Sequence, residues 1–269
     1  MKILKYCVAL CLSIPALPDI CEAAAWLQPK GMLEVHYEHV NATHSEIFQG
    51  VENEFVRNAD QLYVEYGWHA QHSLTFKHLI GSSGSGVEHE GEKFDLQEIS
   101  LRSPLSAGKL RLLPPGIKPL WNILSPNPAR RYGVASIDLG AGHNSNSGPY
   151  LIAQLNGAEK VETSHQNPLS IFFEISLNYQ RYENANQGLK AISRLELGYR
   201  NVFLAYERLD GRFWGQTEFT EHFWFAEVGI PLTQTIILTA KRGHEHTLPG
   251  LPREQSTAFG LRLKLKNLP

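Results

Sequence analysis

Hydrophobic and polar residues alternate one by one along much of this 269-residue chain. In the segment 170–182, Phe173, Ile175 and Leu177 are separated by polar side chains, and the segment 256–267 repeats the pattern. A period of two places successive side chains on opposite sides of a β-strand. The sequence therefore predicts strands that have one apolar face and one polar face.

Thirteen segments follow this pattern: 32–40, 61–71, 72–81, 94–103, 108–113, 131–141, 149–158, 170–182, 189–199, 202–210, 222–232, 235–242 and 256–267. A soluble β-sandwich also alternates, so the pattern alone does not decide the architecture. Strands of about 10 residues with arginine, lysine and glutamate on the polar face are typical of a transmembrane barrel, whose apolar face meets lipid.

The number of strands depends on one proline-rich zone, 105–130, which contains the segment 108–113. Proline is excluded from the interior of a hydrogen-bonded sheet, and bacterial barrels have an even number of strands. Without 108–113, the sequence predicts an all-β fold: a closed antiparallel transmembrane β-barrel of 12 strands. Two short strands within the zone would instead give 14.

The first residues have the features of a secretory leader. Lys2 and Lys5 precede an apolar run, 6–17, which is followed by the small residues 23–25. This order is typical of a signal peptide, and the apolar run is too short to span a bilayer as a helix. We therefore expect a signal peptide at 1–25 and a single barrel domain at 26–269. All three cysteines lie in the first 21 residues, so the barrel domain has no disulfide framework.

Composition narrows the possible functions. The chain is 42% hydrophobic, 10% aromatic and 19% charged, with a formal net charge of −2. A charge so small gives no case for nucleic-acid binding, and the aromatic content is too high for a disordered chain. The sequence contains no motif for a cofactor. Outer-membrane lipid is the expected partner, with a small solute in addition if the lumen is open.

The predicted topology orients the strands in the membrane. Both ends of a bacterial barrel lie in the periplasm, which places the tight connections 200–201 and 233–234 there. Aromatic residues then fall near both interfaces, as in the girdles of outer-membrane barrels. Those near the outer interface are Tyr179, Tyr206, Trp224 and Phe259, and those near the inner interface are Trp68 and Tyr199.

Three short patches resemble known outer-membrane proteins. The stretch 25–31, Ala-Trp-Leu-Gln-Pro-Lys-Gly, is similar to the mature start of the bacterial XagA-like group. The stretches 137–140 and 194–200 are similar to strands of that group and of phenol-pathway outer-membrane barrels. The resemblance implies a barrel in the outer membrane of a Gram-negative bacterium and supplies no catalytic residue. The chain departs from such barrels at its end, where Asn-Leu-Pro replaces the usual aromatic residue.

The polar faces of the predicted strands supply candidate lumen-lining residues of both charge signs. They are Glu65, Glu98, Arg102, Asp138, Glu174, Arg194, Glu196, Arg200, Glu227, Lys241, Arg262 and Lys264. These side chains could line a passage or fill the interior as a salt-bridged plug. We therefore expect a non-enzymatic barrel that is either structural or a passage for small solutes.

The alternative is a lipid hydrolase. His143-Asn144-Ser145-Asn146 is similar to a segment of outer-membrane phospholipase A, a twelve-stranded barrel whose serine and histidine face lipid near the outer leaflet. Strand parity places His143 and Ser145 outward, and a serine beside a histidine is the minimal nucleophilic pair. The third member of that site is an asparagine, whereas Asn156 here has inward parity. Residues 142–149 are also typical of a turn.

Two further clusters contain metal-ligating residue types. The loop 81–93 carries Glu88, His89, Glu90 and Glu92, and clustered carboxylates suit divalent cations. His244, Glu245 and His246 lie beside His222 in the predicted hairpin, where they could bind zinc. A solvated loop explains the first cluster better, and the second lacks the spacing of a helical zinc motif. We therefore predict no metal site.

Overall fold

The computed structural model describes residues 27–48, 51–69, 72–85, 92–107, 130–162, 169–182, 187–199, 202–213, 218–246 and 253–266. These form the strands β1 Leu33–Phe48, β2 Val51–His69, β3 His72–Ser85, β4 Glu92–Ala107, β5 Arg130–Asn144, β6 Gly148–Glu162, β7 Leu169–Tyr182, β8 Gln187–Tyr199, β9 Val202–Phe213, β10 Glu218–Pro231, β11 Ile236–His246 and β12 Arg253–Leu265. The described residues include no helix long and apolar enough to cross a membrane.

The twelve strands form one closed antiparallel barrel, which confirms the predicted fold class. Each strand pairs with its neighbours in sequence, and β1 pairs with β12 to close the circle. The alternative of 14 strands is wrong, because β4 pairs directly with β5 from Leu96 to Ala107. Residues 108–129, which include the segment 108–113, lie outside the described residues.

The two faces of the barrel wall have opposite chemistry. On the outside, Leu151, Phe259 and Trp68 are 63%, 59% and 58% exposed. On the inside, Arg102 and Asp138 are only 0% and 2% exposed. This arrangement inverts that of a soluble protein and is the one expected of a barrel whose outer surface meets lipid.

Several strands are longer than the alternating segments that predicted them. The predicted segment 32–40 corresponds to a strand that continues to Phe48, and its partner β2 begins at Val51, ten residues before the predicted start. In the added parts, most of the described residues on the outer face are polar: Asn41, Thr43, Asn58 and Asp60. An outer face that is mainly polar gives no alternation signal.

Residues 27–32, here called the mouth segment, lie inside the rim at which β1 begins and β12 ends. The Gly31 amide donates to the Gly67 carbonyl at 2.8 Å, and the Gly67 amide donates to the Met32 carbonyl at 2.9 Å. The backbone amide of Gln28 donates to Ser73 Oγ at 3.0 Å, and its side chain donates to Glu34 Oε2 at 2.8 Å. The mouth segment is therefore attached to inner-face residues of β1 and β3.

Candidate functional site

The inner face of the barrel gathers most of the ionisable residues that were selected from the sequence. The strand registers and low exposure place these predicted residues inside: Glu65, Glu98, Arg102, Asp138, Glu174, Arg194, Glu196, Glu227, Lys241, Arg262 and Lys264. Arg200 lies outside the described residues. The candidate site is therefore the charged inner surface of the barrel, here called the charged wall, and not one compact group of residues.

Arg102 on β4 is the centre of the most deeply buried charge cluster. Its Nε and Nη2 atoms donate to the two carboxylate oxygens of Asp138 on β5 at 2.8 and 2.9 Å. Its Nη1 atom donates to Glu65 Oε2 on β2 at 3.2 Å. Tyr63 donates its hydroxyl to the same Glu65 oxygen at 2.5 Å. One guanidinium thus links three strands, and its bidentate contact with Asp138 is the strongest geometry for such a pair.

A second cluster joins the strands at the barrel closure. Arg262 on β12 lies 3.6 Å from a carboxylate oxygen of Glu34 on β1 and 3.9 Å from one of Glu227 on β10. Lys264 Nζ lies 3.8 Å from the other Glu34 oxygen. The opposite charges of this cluster therefore compensate one another across the closure of the barrel.

A third cluster surrounds an aromatic ring. Arg194 Nη2 donates to Glu196 Oε2 at 2.6 Å, and the Arg194 guanidinium carbon lies 4.9 Å from the centre of the Phe225 ring. Lys241 Nζ lies 4.3 Å from the same ring centre. Both distances allow cation–π attraction. Two cations from different strands are therefore held at one position of the wall.

Uncharged polar side chains cover the wall across β5, β6 and β7. Gln154 Nε2 donates to Asn156 Oδ1 at 2.5 Å, and Ser176 Oγ donates to the same oxygen at 2.8 Å. Asn178 Nδ2 donates to Gln154 Oε1 at 2.9 Å. These hydrogen bonds pair most of the buried polar groups here, although Asn178 Oδ1 accepts none from the described residues.

The structure adds inner-face residues that the candidate set omitted. Glu34 and Glu38 lie on β1 and are each 7% exposed, and Phe225 is 6% exposed. Alternation in 32–40 contained the signal for the two glutamates, which share a face opposite Val35 and Tyr37. The sequence did not indicate that Phe225 faces inward, because an apolar residue at an inward position interrupts the alternation of polar and apolar residues.

The predicted hydrolase residues lie at the turn between β5 and β6. His143 is exposed and pairs with Gln97, which is on the outer face, as strand parity predicts. Ser145 Oγ accepts a hydrogen bond from the Asp95 amide at 3.0 Å and donates one to Asn146 Oδ1 at 3.0 Å. No hydrogen bond between His143 and Ser145 occurs among the described residues. The serine therefore holds a turn and is not oriented toward the histidine.

The predicted metal-ligating clusters fall largely outside the described side chains. Residues 86–91 are not described, and neither are the side chains of Glu92, His244, Glu245 and His246. The backbones of His222 and His246 are paired across β10 and β11. Among the described side chains, no three histidine, cysteine, aspartate or glutamate residues are grouped so as to hold a metal ion.

Comparison with known proteins supports the fold. No family model and no curated protein matches the sequence, so the resemblance to the XagA-like group stays a prediction. Among solved structures, the chain is similar to an outer-membrane channel from Pseudomonas putida F1, with a TM-score of 0.59 and 11% identity over 92% of this chain and 100% of that one. The fold is therefore that of an outer-membrane β-barrel.

Two other solved barrels have lower similarity. The translocator domain of the autotransporter NalP from Neisseria meningitidis gives a TM-score of 0.46 at 10% identity, over 88% of this chain and 89% of that one. A KdgM porin in complex with disordered oligogalacturonate gives 0.45 at 7% identity, over 86% and 98%.

Proposed function

We propose that this protein is a non-enzymatic barrel of the Gram-negative outer membrane that lets small polar solutes cross. The observation that carries the proposal is the charged wall inside a closed barrel. Ionisable side chains from β1–β5 and β7–β12 face inward, and β6 adds Gln154 and Asn156. A water-filled passage through a transmembrane barrel needs a polar lining, and these side chains supply one.

The proposed passage is narrow. Barrels of eight strands are filled by side chains, whereas those of 16 to 18 strands enclose an aqueous channel, and twelve strands lie between these limits. The inward side chains of Glu196, Glu65 and Asn156 are only 2–3% exposed. Solutes of a few non-hydrogen atoms fit such a lumen better than oligomers do.

The charges of the wall favour solutes that carry no large net charge. Arg194 lies against Glu196, and Arg262 lies between Glu34 and Glu227. Because opposite charges alternate around the wall, an ion of either sign meets both attraction and repulsion. Neutral or zwitterionic polar solutes are the class that this arrangement suits best.

Conductance tests the proposal. We expect purified protein in planar lipid bilayers to give small, steady currents, and Arg262→Glu to move the reversal potential in a potassium chloride gradient toward cation preference. Arg208→Glu makes the same change of charge on the outer face and should leave the reversal potential unchanged. Inserted protein that passes no current and admits no sugar or amino acid into liposomes would contradict the proposal.

The hydrolase alternative predicts that the protein releases fatty acid from phospholipid vesicles, whereas the proposed non-enzymatic barrel releases none. Because the Ser145 hydroxyl is bonded to Asn146 and Asp95, we expect no calcium-stimulated release of fatty acid from phospholipid vesicles. The Ser145→Ala variant should match the wild type in this assay and in barrel assembly. Release by the wild type that disappears in Ser145→Ala would establish the enzyme instead.

A further inference from the structure

A shallow pocket lies on the wall formed by β10, β11 and β12. Its volume is about 300 Å³, and it is lined by Trp224, Phe225, Ala226, Arg242, Gly243 and Gln255. Arg242 is paired with Ala226 on one side and with Thr257 on the other. These positions share the outer face with Trp224 and Phe259, which are 49% and 59% exposed. The pocket therefore opens on the outer face of the barrel, which carries the exposed apolar side chains.

Arg242 is unlike the other described arginine on this part of the outer face. It is exposed and forms no hydrogen bond or ion pair with any described residue. Arg208 on β9 is bound by both carboxylate oxygens of Asp210, at 2.8 and 2.9 Å. The outer-face positions of β10–β12 whose side chains are described include no aspartate or glutamate. Among the described residues of this outer face, none compensates the positive charge of Arg242.

An uncompensated arginine near lipid is costly unless an anion from outside the chain binds it. The walls of the pocket suit the rest of such a ligand. The Trp224 ring packs against Tyr206 at a centroid distance of 4.5 Å, and the Tyr206 hydroxyl lies 2.5 Å from His222 Nδ1. Ala226 leaves a depression beside the indole. Apolar surface from Phe259 and Leu261 continues along β12, where acyl chains could lie.

We propose that this pocket binds the phosphate group of a phosphorylated lipid of the outer leaflet. Arg242 contacts the phosphate, the Gln255 amide lies beside the sugar or glycerol, and Trp224 and Phe259 flank the chains. Arginine binds phosphate through a planar array of donors and is preferred at such sites. The inference rests on the proposed placement in the outer membrane, but it does not depend on an open lumen.

Native mass spectrometry of the detergent-purified barrel with added lipid A tests the site. We expect the wild type to bind the phosphorylated lipid and Arg242→Gln to bind it about tenfold more weakly, as for the loss of one charge-assisted contact. Ala226→Leu fills the depression, keeps the charge and should also weaken binding. Arg208→Gln is the matched control, because Asp210 already neutralises that arginine, and it should bind like the wild type.

Three outcomes would overturn the inference. They are unchanged binding by Arg242→Gln, equal binding of lipid A from which the phosphates have been removed, and full competition by inorganic phosphate alone. Folding of each variant is checked by its heat-modifiable mobility in gels. Conductance of Arg242→Gln should equal that of the wild type, so failure of this site and failure of the proposed passage are distinguishable.

Discussion

Replacing Arg102 with methionine should destabilise the folded barrel by about 3–5 kcal/mol, because it leaves two buried carboxylates without their cation. Arg102 is 0% exposed, and its partners Asp138 and Glu65 are 2% and 3% exposed. Both carboxylates are therefore shielded from bulk water in the folded barrel. Urea unfolding in detergent, followed by loss of the heat-modifiable band, measures the change.

Two control variants distinguish the effect of leaving buried carboxylates unpaired from the effect of removing an arginine as such. Arg208→Met breaks an exposed pair with Asp210, for which a loss of at most about 1 kcal/mol is expected. The triple variant Arg102→Met, Asp138→Asn and Glu65→Gln removes the uncompensated charges together and should recover much of the stability. An Arg102→Met barrel as stable as the Arg208→Met barrel would show that the cluster does not hold these strands together.

Replacing Gly67 with valine should displace the mouth segment from the rim. A Cβ atom at Gly67 would lie 2.0 Å from the Pro29 carbonyl oxygen and 2.7 Å from that of Gln28. Both atoms belong to backbone, which cannot move aside without breaking the hydrogen bonds of Gly67 with Gly31 and Met32. Tryptic cleavage after Lys30 should become about tenfold faster, because local opening controls access of the protease.

Val64→Ile is the control for this change. Val64 lies on the same strand and faces outward, paired with Val35 and Phe76, so its extra methyl group meets lipid and cannot touch the mouth segment. The cleavage rate after Lys30 should stay at the wild-type value. Equal protection of Lys30 in Gly67→Val and the wild type would show that the segment tolerates a side chain at Gly67.

The fold was largely predictable because the membrane imposes the same rule on every strand. Phe173, Ile175 and Leu177 face outward and Glu174 and Ser176 face inward, as the alternation predicts. The strand count also followed from elementary chemistry, because proline cannot donate a ladder hydrogen bond. The even number typical of bacterial barrels then excluded 13 and left 12 or 14, and the pairing of β4 with β5 decides for 12.

The sequence predicts which residues face the lumen, but it does not predict which of them contact one another. Strand parity identified Arg102 and Asp138 as inward, and the register between β4 and β5 brings them opposite each other. That register is fixed by turns and tertiary pairing rather than by residues near either position. The third partner, Glu65, lies two strands away from Arg102, so no local pattern could indicate the contact.

The parts that the sequence did not predict lack the apolar face on which the prediction depends. In the added parts of β1 and β2, the outer-face residues Asn41, Thr43, Asn58 and Asp60 are polar. The mouth segment forms no regular strand, and its attachment depends on the missing side chain at Gly67. Arg242 is ordinary in the sequence and becomes distinct only where the structure shows that nothing described around it carries a negative charge.

The pairing of β1 with β12 has a consequence for assembly. Every other neighbouring pair is joined by a connection between consecutive strands, whereas this pair brings Leu33 to Leu265. The entropy lost in closing a loop grows with its length, so this seam has the highest contact order in the barrel and should form last. A nascent chain that stops short of β12 keeps its hairpins but exposes two unpaired edges, which invite aggregation.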